Sequence, residues 1–131
     1  MVRILGVMVI LMGILAACGG GSVSAASSGC SGARCFITIE KSNQDENFSI
    51  DLTRISEDES FTVDISFTLE KGKLEVTYQN NAGETVTINL EAGDDLIMQE
   101  TFDSTTRYIT FDFDPSGTVE NAVVNVRKAA N

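Results

Sequence analysis

Catalysis needs a nucleophile, an acid–base pair or a set of metal ligands, and this chain of 131 residues carries few of them. It has no histidine, which excludes Ser/His and Cys/His nucleophilic pairs, and no Gly-x-Ser-x-Gly turn is present. Cys18, Cys30 and Cys35 are its three cysteines, and two thiolates without histidine do not make a zinc site. Nineteen acidic residues remain. Two carboxylates flanking a bond can hydrolyse a glycoside, yet Asp51, Asp64, Glu70, Glu75 and Asp112 fall on outward positions and no pair stands apart. Catalytic groups sit perturbed in a concave pocket, and nothing in the sequence points to one. The expectation is a protein without catalysis.

The sharpest oxygen-rich stretch is Asp112-Phe113-Asp114-Pro115-Ser116-Gly117. Its alternating Asp112, Asp114 and Ser116, closed by a glycine, resembles the first half of an EF-hand calcium loop. That resemblance implies Ca²⁺ held by Asp112, Asp114 and Ser116. It departs from the pattern at Pro115 and at Val123, which stands where the bidentate glutamate belongs. The same residues also suit a type I turn, with Asp, Pro and Gly at favoured places. The turn is the preferred reading and the ion site the alternative. Asp94-Asp95 with Asp103, and the alternating Asn43, Asp45 and Asn47, are weaker acidic or polar loops.

These groups must be positioned by strands. Phe61 to Glu70 alternates apolar and polar without interruption, the period of a strand with one buried face. Shorter alternations are Phe48-Ile50-Leu52, Leu74-Val76-Tyr78, Val86-Ile88-Leu90, Ile109-Phe111-Phe113 and Ala122-Val124-Val126. Ile37-Ile39 and Leu96-Met98 add strands of less certain phase. A two-residue hairpin at Lys71-Gly72 would set Leu69 against Leu74, Phe67 against Val76 and Ile65 against Tyr78. A three-residue loop, Asn81-Ala82-Gly83, sets Tyr78 against Val86, Val76 against Ile88 and Leu74 against Leu90, with Gly83 left-handed. About seven or eight short strands predict an all-β antiparallel sandwich, immunoglobulin-like or jelly-roll. Tyr78 points inward in this register, leaving Tyr108 outward and Phe102 near a strand end. A lone outward tyrosine is a weak sugar platform, because anchors cluster at recognition surfaces. The outward threonines 62, 68, 77, 85, 87 and 110 read as ordinary strand formers.

Where the protein sits follows from the N-terminus. Arg3 precedes an apolar run from Ile4 to Ala17, shorter than the ~20 residues a membrane-spanning helix needs. This is the layout of a secretory signal peptide. Leu15-Ala16-Ala17-Cys18 resembles the lipobox of bacterial lipoproteins. By that resemblance residues 1–17 are a cleaved signal peptide, and Cys18 carries a diacylglycerol, usually with a third chain on its amine. Two or three acyl chains attach stably where one is marginal. Residues 18–34, rich in glycine and serine, read as a flexible tether reaching roughly 20–25 Å. Export favours oxidation, so Cys30 and Cys35 are expected to form a disulfide across a small loop. Residues 35–131 form the folded domain.

With Arg3 removed, eight basic residues face nineteen acidic ones, a mature charge of −11. That disfavours nucleic acid and close contact with anionic lipid. The sequence thus predicts a lipid-anchored, extracytoplasmic binding or structural module of the bacterial cell envelope. Its partners would be the membrane, through its lipid, and an envelope protein or glycan. The alternative is a calcium-dependent ligand- or carbohydrate-binding domain.

Overall fold

The computed structural model describes residues 23–130; the expected signal peptide and Cys18 lie outside them. Nine strands follow in order: β1 (Ser24–Ser31), β2 (Arg34–Ser42), β3 (Glu46–Asp51), β4 (Ser60–Lys71), β5 (Lys73–Gln79), β6 (Thr85–Glu91), β7 (Asp95–Asp103), β8 (Tyr108–Pro115) and β9 (Val119–Lys128). They form a five-stranded sheet, β1-β2-β9-β4-β7, facing a four-stranded one, β3-β8-β5-β6. Every pairing is antiparallel. From β2 onward each connection crosses between the sheets except the β5–β6 hairpin. That alternation is the jelly-roll, which resolves the choice between the two sandwich topologies.

The core is the one that the alternation marks. Phe61, Val63, Ile65, Phe67 and Leu69 of β4 are buried, as are Leu74, Val76 and Tyr78 of β5 and Ile109, Phe111 and Phe113 of β8. The β5–β6 hairpin has the expected register, Tyr78 opposite Val86, Val76 opposite Ile88 and Leu74 opposite Leu90. Gly83 turns it at φ +80°.

Two expectations are corrected. First, Lys71-Gly72 does not close a hairpin: β4 pairs with β7 and β9, while β5 pairs with β6 and β8. Alternation requires only that Leu69 and Leu74 both face the core. Two strands meeting across the interior satisfy that as well as two lying side by side. Second, the domain begins before Cys35, because Ser24–Ser31 pairs along the whole of β2. This ninth strand, SAASSGCS, has no bulky side chain to signal it. It is held by its ladder, by Ala26 and Cys30 packing on the core, and by a Cys30–Cys35 disulfide. On loop-entropy grounds so short a bridge contributes about 2 kcal/mol. Phe102 lies near the end of β7, as expected, with its side chain fully buried, whereas Leu96 and Ile97 on the same edge strand are exposed.

The registers also give the sandwich two distinct ends. The chain enters at Val23, whose N–H donates to Asn43 Oδ1 at 2.8 Å and whose carbonyl accepts from Asn43 N–H at 3.1 Å. The β2–β3, β4–β5, β6–β7 and β8–β9 connections share this entry end. The β3–β4, β5–β6 and β7–β8 connections share the far end.

Candidate functional site

Outward residues of the four-stranded sheet build the site. β5 and β8 pair only from Leu74 opposite Pro115 to Thr77 opposite Asp112. Beyond Thr77 each strand keeps only its other neighbour, β6 for β5 and β3 for β8. The sheet therefore opens between them toward the far end. The result is a groove of about 430 Å³ whose wall includes Thr77, Gln79, Asn81, Thr85, Tyr108 and Asp112. Inward Tyr78 and Phe111, with ring centroids 5.4 Å apart, lie in the core beneath this split.

The groove's far lip is bonded in place. Asn80 Oδ1 accepts from the Ala82 and Glu84 N–H groups, each at 3.0 Å, which shapes the β5–β6 loop. Asn81 ties that loop to the β7–β8 loop. Its Oδ1 accepts from Thr106 Oγ1 at 2.8 Å, and its Nδ2 donates to Asp103 Oδ2 at 3.1 Å. Tyr108, 54% exposed, is also fixed. The Arg107 guanidinium lies 5.3 Å from its ring centroid and donates to Asp51 Oδ2 at 3.1 Å. Asp51 Oδ1 in turn accepts from the Thr53 hydroxyl at 2.6 Å and from Thr53 N–H at 3.0 Å. These bonds from Thr53 and then Arg107 hold the Asp51 carboxyl down to about 2. Asp51 is thus ionised throughout the neutral range, and its partner Arg107 stays over the tyrosine.

Toward the entry end the same face becomes acidic. A second trough of about 640 Å³ is lined by Asp45, Glu46, Asn47, Glu75, Asp112 and Asp114, among others, and it shares Thr77 and Asp112 with the first. The Asp114 charge, and then a hydrogen bond to it, raises the Asp45 carboxyl above its ordinary value. The folded state therefore disfavours Asp45 ionisation, a cost present at neutral pH and relieved as pH falls toward 3.8, its ordinary value. Asp45→Asn should raise the melting temperature at pH 7, because the amide donates to Asp114 without binding a proton. The gain should shrink as pH approaches 4. A variant no more stable at pH 7, followed by thermal melts across pH 4–8, would contradict the contact.

The calcium-loop residues are not assembled. Asp112 and Asp114 stand at alternate positions of extended β8, about 6.6 Å apart along the strand. Ser116 follows in a bend, where its N–H donates to the Lys73 carbonyl at 3.0 Å. A calcium loop must instead curl its oxygens around one centre. Asp114 and Pro115 end β8, and the chain bends over Ser116-Gly117. Among the described residues no three acidic or cysteine side chains are grouped to hold a metal. Asp94 Oδ2 accepts from Glu91 N–H at 2.7 Å, shaping the β6–β7 turn, while Asp103 lies at the other end of β7. That second acidic candidate is not brought together.

Sequence reasoning placed Tyr108, Thr77, Thr85 and Thr110 outward but read them as decoration. It missed Gln79, Asn80, Asn81 and Thr106. The available signal was the run of amides and hydroxyls at one end of β5, β6 and β8. Seeing it as a groove required knowing where β5 and β8 part.

No protein-family model and no curated protein matches the chain. Solved structures with similar backbones include an oxalate oxidase in complex with glycolate, at 11% identity and a TM-score of 0.44 over 80% of this chain. The chain spans about half, 51%, of the length of that oxidase. A xylan-binding domain from Paenibacillus barcinonensis aligns at 12% identity and a TM-score of 0.42, covering 84% of this chain and 88% of that one. A family 29 carbohydrate-binding module complexed with mannohexaose aligns at 14% identity and a TM-score of 0.35, covering 83% and 79%.

Proposed function

We propose that this protein is a lipid-anchored, non-catalytic binding module of the bacterial cell envelope, and that it binds through the groove on its four-stranded sheet. One observation carries the reading. The groove is walled by hydroxyls and amides, its lip is cross-bonded by Asn81, and Asp112 is the one carboxylate among its lining residues. Such a wall suits recognition through hydrogen bonds. Hydrolysis of a glycoside needs two carboxylates on either side of the bond, whereas Asp112 stands alone in the lining of this groove. The anchor rests on Leu15-Ala16-Ala17-Cys18. The groove opens toward the end opposite the entry of the chain at Val23. A protein tethered by Cys18 would hold it away from its own membrane.

Two measurements test this. Cys18→Ser should abolish lipid labelling and either release the protein from the membrane fraction or trap its precursor. Normal labelling and fractionation would defeat the anchor. The groove is tested by capturing isolated envelope material on the detergent-solubilised mature protein. Thr77→Arg puts a long side chain across the junction of the two troughs, next to Asp112, and should abolish capture. Equal capture by this variant would place binding elsewhere.

A further inference from the structure

We infer that the groove takes an uncharged saccharide chain, stacked on Tyr108 and excluded when it carries anionic groups; this rests on the groove being the binding surface. A sugar ring has C–H groups on its faces and hydroxyls around its rim. It therefore needs an aromatic plane next to side chains that both donate and accept. Tyr108 supplies the plane, and Gln79, Thr77 and Thr85 supply the donors and acceptors within the same groove.

The plane is built before a ligand arrives. Arg107 stands over the Tyr108 ring and is itself held by Asp51, so ordering the tyrosine costs little on binding. The backbone reinforces this, because the Leu52 N–H donates to the Arg107 carbonyl at 2.7 Å. Asn81 does the same for the opposite lip by joining two loops.

Charge sets the class. A chain lying along the strands passes from the neutral far half into the trough lined by Asp45, Glu46, Glu75, Asp112 and Asp114. An anionic polymer there would meet carboxylates with no basic side chain among the lining residues of either trough, and Arg107, beside the Tyr108 ring, is already paired with Asp51. Like charges brought together repel and suppress the wrong partner. The groove is also open to both halves of the face, since Thr77 and Asp112 belong to both troughs. That shape admits the middle of a chain as well as its end.

The test uses the detergent-solubilised mature protein, with envelope material captured through the groove and a panel of soluble polymers. Periodate, which cleaves vicinal diols, should destroy capture of the envelope material, and protease should not. In affinity gels a neutral glucan, mannan or xylan should retard the protein, while polygalacturonate should not. Tyr108→Ala should weaken retention at least tenfold, about 1.4 kcal/mol, and Tyr108→Trp should keep it. Capture that resists periodate and is lost to protease would overturn the saccharide class while leaving the groove in place. Retardation by polygalacturonate, or undiminished retention by Tyr108→Ala, would also overturn it. Capture indifferent to Thr77→Arg would remove the groove itself, a separate failure.

Discussion

Gly72→Ala should destabilise the fold by about 2–4 kcal/mol, a large share of a small domain's stability. Gly72 has φ +96°, and a Cβ there would stand 2.6 Å from the Thr118 carbonyl oxygen and 2.9 Å from Val119 Cγ1. The first of these is backbone and cannot rotate away. Left-handed geometry alone costs roughly 1–2 kcal/mol with a side chain, and the clash adds to it. Gly83 and Gly32 are internal controls. Both have positive φ, yet a Cβ at either meets nothing within 4 Å. Alanine at those positions should cost only the conformational part. Urea denaturation of the three variants separates the two contributions. A Gly72→Ala loss no larger than that of Gly83→Ala would mean that β4 and β5 do not cross between the sheets as described.

That position also marks where the sequence stops being readable. The faces of the strands were legible, because each inward side chain of β4, β5 and β8 is apolar and each neighbour polar. The β5–β6 hairpin was legible too, since loop length and Gly83 admit one register that keeps faces together. Which sheet a strand joins was not. Leu69 and Leu74 look the same whether they neighbour each other or face each other across a core. The choice is made by distant partners such as Val124, opposite Phe67, and Phe113, opposite Val76. β1 was hidden for a different reason. Its stability comes from pairing with β2 and from a disulfide, so its own residues carry no hydrophobic period. The site was hidden for a third. Thr77 and Tyr108 belong to strands distant in sequence, and only the end of the β5–β8 ladder makes them share a groove.

Tyr78→Ala should cost about 3–5 kcal/mol and Tyr78→Phe about 1.5–3 kcal/mol, and the difference between them has a structural meaning. The ring is 2% exposed, stacked on Phe67 at 6.4 Å and tilted against Phe111 at 5.4 Å, so alanine leaves a cavity where the sheets meet. Phenylalanine keeps the ring and removes one bond. Tyr78 Oη donates to Glu100 Oε2 at 2.6 Å, across from β5 to edge strand β7. Glu100 points inward between Met98 and Phe102. It interrupts an apolar face on an unpaired edge, a device that discourages strand-to-strand aggregation. Without the hydroxyl that carboxylate loses a partner in a half-buried place. Glu100→Gln should therefore reduce the cost of Tyr78→Phe, giving a coupling in the range of about 0.5–3 kcal/mol for groups in contact. Burial, and then the Glu100 bond, push the phenol well above its ordinary value of 10.0. Its contribution is full below pH 10 and is lost as the unfolded chain's tyrosine ionises above it. Wild type should weaken above pH 10 and Tyr78→Phe should lack this portion of the decline. Additive costs in the cycle, or identical alkaline limbs, would show that the bond is not made. Ligand capture gives the last discrimination. Tyr78 lies under the groove and Tyr108 stands at its wall, so Tyr78→Phe should lower stability and keep capture, while Tyr108→Ala should keep stability and lose capture.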